Sequence, residues 1–137
     1  MLYLKSEYIT IEYFATDELV KTKWLEYAPS AEYRKILRTF LRMQKKHRIK
    51  KWLADYSDAK VVRPVDQKWT VEEWGPKFFS SLHLRCVAIV NPADVFGRMS
   101  VNFIMSQINM QELPVEVCFF DKPEEAIAWL ALQGSRR

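Results

Sequence analysis

Asp55, Tyr56, Ser57 and Asp58 follow directly on the apolar run Trp52-Leu53-Ala54. Acids and a hydroxyl at the end of a buried strand could hold a cation, accept a phosphoryl group or activate a nucleophile. Open α/β sheets place their ligands at the carboxyl ends of parallel strands. Two further strand-like runs end in the same way, with Asn91 and Asp94 after "RCVAIV" and Asp121 after "VEVCFF". Oxygen ligands converging from three strand ends would suit Mg²⁺. The same residues also have simpler uses. Asp58 suits a turn, while Asn91 and Asp121 suit helix caps. No lysine or histidine stands at a matching strand end to complete acid–base chemistry. Asp55, Ser57 and Asp58 are therefore expected to form a polar strand-end cluster. No catalytic residue, metal or cofactor is expected.

Absences narrow the chemistry further. The three glycines, Gly75, Gly97 and Gly134, cannot build a Gly-rich phosphate loop or a dinucleotide fingerprint. No G-x-S-x-G elbow occurs. Two cysteines, Cys86 and Cys118, sit inside apolar runs, and with only His47 and His83 they offer too few soft ligands for structural zinc. Buried thiols of this kind fit a reducing compartment. The start "MLYLKSEYITIEYF" lacks the basic and apolar regions of a signal peptide, and no run is long enough to span a bilayer. A cytoplasmic location is expected.

The 137 residues, 49% apolar and 28% charged, suit one domain over residues 1–137 with a single core. "YITIEYF" and "LVKTKWLE", joined by the turn Ala15 to Glu18, predict antiparallel strands, with a shorter strand at Leu2 to Lys5 before them. Tyr33, Ile36, Leu37, Phe40 and Leu41 then keep the spacing of one helical face over about 30–47, with Ser30 as cap. Strands are expected near 49–55, 85–90 and 115–120. A second helix opens near Pro64 to Asp66, with apolar positions Val65, Trp69, Trp74, Phe78 and Leu82. Gly75-Pro76 should kink or break it, unless a Thr70/Glu73 capping box starts it later. Asn91 and Pro92 predict the start of a third helix running to about Asn109. Asp121 and Glu124 predict the last one. The expected class is α/β, a mixed sheet with an antiparallel N-terminal part and parallel strands joined by helices.

Two surfaces could bind partners. Between Tyr33 and Ala54 stand nine Lys or Arg residues and no acid, of which Arg34, Arg38, Arg42 and Lys45 share one helical face. Such a stripe could meet anionic lipid or an acidic protein, but a solvated helix face is the simpler reading. Net charge is only +4 and no nucleic-acid module is present, so nucleic acid is not an expected partner. The helix near 92–109 carries one charge, Arg98, between Val95 and Met110. Phe96, Met99 and Phe103 form one apolar stripe, and Val101, Ile104, Met105 and Ile108 a second. A helix apolar on two sides is buried on both or covers one with a partner, an apolar ligand or a membrane. Met99, Met105 and Met110 add an adaptable surface. Trp24, Trp52 and Trp129 read as core, whereas Trp69 and Trp74 could line a pocket beside Gly75-Pro76.

The segments "KKWLADY…VVRPVDQKW", "RCVAIVNPADVFGRMSV" and "VEVCFFDKPEEAIAWL" resemble the SpoIIAA-like branch of the STAS domains, over roughly residues 30–132. The fold of that branch is also compared with the lipid-binding CRAL-TRIO domain. The resemblance implies a STAS-like sheet and a regulatory or binding module in place of an enzyme. The family's phosphorylated serine opens a helix. Here that helix opens Pro64-Val65-Asp66-Gln67, with no serine, so no functional serine is carried over. The expectation is a protein-interaction module or homodimer acting through an exposed stripe of the helix near 92–109, with Trp69, Trp74, Phe96, Met99, Phe103 and Met105 as the candidate ligand or partner surface. Its rival is an apolar-ligand or lipid carrier with reversible membrane contact, whose cavity would lie between the sheet and the helices near 64–82 and 92–109.

Overall fold

The computed structural model describes residues 1–80, 83–108 and 115–134. Six strands form one sheet in sequence order: β1 (Leu2–Lys5), β2 (Ile9–Phe14), β3 (Leu19–Trp24), β4 (Lys51–Asp55), β5 (Cys86–Val90) and β6 (Glu116–Phe120). The first three pair antiparallel and the rest parallel, as the patterning predicts. The 15–18 turn is the hairpin between β2 and β3. Glu18 takes a positive φ of 52° there, and its carboxylate reaches Arg48 (3.2 Å) and Lys50 (3.1 Å). The hairpin is thereby fastened to the residues that lead into β4.

Each parallel connection is a helix, and successive right-handed crossovers in one direction put these helices on one face. They are α1 (Ser30–Lys46), α2 (Pro64–Trp69) running through a π-helical turn (Thr70–Trp74) into α3 (Gly75–Phe78), and α4 (Val95–Gln107). The larger core lies between them and the sheet. Ile9, Ile11 and Val20 pack there with Tyr33, Ile36, Phe40, Trp52, Trp74, Phe78 and Ile89. The other face is covered only by α5 (Pro123–Gly134), whose Ala126 and Leu130 pack on Leu53, Cys86, Ala88 and Val90. β4 and β5 are thus buried on both faces, which is why their sequences do not alternate.

Several helix starts differ from expectation. α4 begins at Val95, not Pro92, because the Asp94 carboxylate takes the Gly97 N–H at 2.7 Å. Asn91 instead donates to Asp121 Oδ1 at 3.1 Å, which ties two strand ends together, and α5 starts at Pro123. Ser30 makes no cap; its hydroxyl donates to Asp66. Thr70 is inside a helix, donating its hydroxyl to Asp66 O, so the alternative start there does not form. Gly75-Pro76 does not break the helix. The π turn ahead of it carries an extra residue and absorbs the missing proline N–H while the backbone stays helical. Val65, expected on the buried face, is exposed. Leu82, Asn109 and Met110 lie outside the described residues.

Candidate functional site

The strand-end cluster is a closed local structure. Asp55, almost fully buried, accepts from both the N–H and the hydroxyl of Ser57 through Oδ1, at 2.9 and 2.6 Å. That is a turn in which a side chain imitates a backbone acceptor. The Ser57 carbonyl accepts from Ala93, and Asp58 faces Lys23 at 3.6 Å. Histidines are far away. His47 and His83 precede β4 and β5, at the opposite ends of strands about 16 Å long. His47 packs at a tilt against the Tyr13 ring. Among the described residues no three His, Cys, Asp or Glu converge as metal ligands.

The basic stripe is partly consumed in holding α2. Asp66, 1% exposed, accepts from Ser30 Oγ (2.6 Å) and from Arg34 Nε (3.0 Å). Arg34 and Arg38 both lie over the Trp69 ring, 5.3 Å from its centre. Trp69 is therefore clamped outside the cavity by cation–π contacts. Arg42 leans on Thr39, and Arg42 and Lys45 are exposed.

An apolar cavity of about 60 Å³ lies between β2–β4, α1, the π turn and α4. Its deep wall is Phe40, Trp52 and Trp74, and α4 contributes Val101, Ile104, Met105 and Ile108. The second stripe expected on this helix is thus its cavity side. The indole N–H groups of the deep wall are satisfied: Trp52 donates to Thr22 Oγ1 and Trp74 to the Leu37 carbonyl. Glu26, Tyr27, Lys60 and Val61 line the cavity from the loops before α1 and α2.

Sequence reasoning missed two lining residues, Tyr33 and Tyr56. Tyr33 reads as an ordinary core position, and Tyr56 is overshadowed by the acids around it. Burial raises both phenols well above their ordinary range; Asp66 adds to this at Tyr33, and Tyr33 adds to it at Tyr56. The Tyr33 hydroxyl contacts Thr70 Oγ1 at 2.7 Å. Thr70 spends its single proton on Asp66 O, so Tyr33 must be the donor. Tyr56 keeps some exposed surface, and its hydroxyl makes no hydrogen bond among the described residues. Every sealed side-chain polar atom of the described residues has a partner. The Tyr56 hydroxyl is therefore not sealed, and its residue lines the cavity.

The outer face of α4 is different. Phe96, Met99 and Phe103 are 64%, 62% and 47% exposed, and Val95 beside them is exposed too. Phe119, on the same face of the sheet at its β6 edge, is half exposed. Arg98 turns back to the Pro92 carbonyl. No helix of the described residues is long and apolar enough to cross a membrane. No family model, curated protein or solved structure matches the chain.

Proposed function

We propose that the chain is a non-enzymatic binding module, similar to the SpoIIAA-like STAS domains, that acts by pairing with a second copy through α4. One observation carries this reading. Phe96, Met99 and Phe103 stand exposed on a helix whose opposite side already fills the core. With Val95 they offer roughly 500 Å² of apolar surface per copy, about 1,000 Å² when paired, the lower bound of a specific interface. The stripe is self-compatible. Its exposed neighbours Asn102, Ser106 and Gln107 are uncharged, and the one charge on the helix, Arg98, is turned back to the Pro92 carbonyl. A pair of this size is weak and exchanges readily. Regulation by a phosphorylated serine is not part of the proposal. Asp66 occupies the helix start in question and is locked by Ser30 and Arg34. The two free thiols suit a cytoplasmic setting.

Sedimentation equilibrium tests the pairing. The protein should dimerise at tens to hundreds of micromolar, as expected for so small an interface. Met99→Glu/Phe103→Glu should remain monomeric at every concentration. A parent that stays monomeric, or a variant that pairs equally well, removes the reading.

A second reading is favoured by the cavity. The same helix that shows phenylalanines outside walls an apolar space inside, as a ligand carrier touching membranes reversibly would require.

A further inference from the structure

The cavity has an apolar body and a polar demand at one place. Tyr56 holds a hydroxyl with no partner among the described residues, and Tyr33 lines the same cavity. Because Tyr33 spends its proton on Thr70, its oxygen retains the capacity to accept. The pair therefore offers one O–H and one lone pair to the same space. Resting on the second reading above, we infer that this is a binding site for a small neutral molecule carrying a hydroxyl. That hydroxyl accepts from Tyr56 and donates to Tyr33. The remainder of the molecule packs on Phe40, Trp52 and Trp74, whose own polar groups need nothing.

Charge and size set the class. Glu26 and Lys60 both line the cavity, so their opposite charges give no preference for an anion or a cation. A charged group placed between the two phenols and the apolar walls of Phe40, Trp52 and Trp74 would lose its hydration without a counter-charge. The volume corresponds to roughly four waters, about the bulk of a three- or four-carbon alcohol. A longer molecule could extend outward past Tyr27 and Val61, which line the space from the flanking loops.

The test is to follow the indole N–H signals of Trp52 and Trp74 by NMR while adding xenon, 1-butanol, butyrate or butylammonium. Xenon reports the apolar space alone. Saturable shifts are expected with xenon and with 1-butanol, and butanol should bind at least about tenfold more tightly than either ion. Tyr56→Phe loses no hydrogen bond among the described residues and should fold as the parent does. It should weaken butanol about five- to tenfold, the effect of one hydrogen bond, and leave xenon unchanged. Xenon binding with butanol indifferent to Tyr56→Phe, or with butyrate bound equally well, overturns the hydroxyl site and spares the apolar cavity. No response to xenon or butanol overturns both.

Discussion

Replacing Gly97 by alanine tests how α4 is seated. A Cβ built there lies 2.5 Å from the Ala59 carbonyl oxygen and 3.2 Å from its carbon. Ordinary contact begins at 3.4 Å, so the backbone of the turn or the helix must give by about 0.9 Å. Two effects oppose each other. Alanine in place of glycine near a helix start gains up to about 1 kcal/mol in propensity. Overpacking by one methyl against backbone costs roughly 1–3 kcal/mol, and backbone cannot rotate aside as a side chain can. The net expectation is a loss of about 1 kcal/mol, a urea midpoint lower by roughly 0.5 M. Ala59 donates its N–H to the Tyr56 carbonyl, so the displacement should reach the cavity and disturb the Trp52 and Trp74 indole signals. Gly75→Ala is the control. Its Cβ meets the flexible end of Ile108 at 3.1 Å and Thr70 O at 3.1 Å, so it should be near neutral. A Gly97→Ala protein as stable as the parent, with unchanged indole signals, would refute the packing described for α4.

Other outcomes follow from the same contacts. Arg34→Ala strands the buried Asp66 carboxylate with one hydroxyl partner and strips a cation from Trp69; the loss should be about 2–4 kcal/mol in urea unfolding. Arg42→Ala, on the same stripe, should change stability by less than about 0.5 kcal/mol. Alkaline pH should destabilise the fold. Burial pushes the Cys86 thiol up to about 11 and raises Tyr33 and Tyr56, so the unfolded chain releases these protons first. Stability is then full below about pH 9 and falls as pH rises through the folded values. Urea midpoints measured from pH 7 to 11 check this, and a flat profile would contradict it. In the folded protein at pH 8, an aromatic disulfide should label Cys118 before the more deeply buried Cys86.

The class of fold was legible because it depends on periodicity. A period of two in Ile9–Phe14, a helical period from Tyr33 to Phe40 and unbroken apolar runs in β4 and β5 are all written locally. Helix starts were less legible, because capping is a competition among neighbouring polar groups. Asp94 caps the helix through the Gly97 N–H, while Asn91 is spent on Asp121 across two strands. The basic stripe shows the same limit. Its spacing is plain in the sequence, but not that Arg34 and Arg38 are spent on Trp69 and Asp66, more than thirty residues away.

The sequence by itself determined the mixed sheet, the doubly apolar α4 and the lack of a glycine-rich phosphate loop. Each follows from residue type and spacing along one element. Tertiary structure decided what those elements do. It turned Asp55 and Ser57 into a closed turn, set Phe96, Met99 and Phe103 outward, and brought Tyr33 and Tyr56 to one cavity. The physical reason is that a hydroxyl's remaining hydrogen-bonding capacity depends on where its neighbours spend theirs. For Tyr33 that is settled by Thr70 and Asp66, and no local pattern in the chain records it.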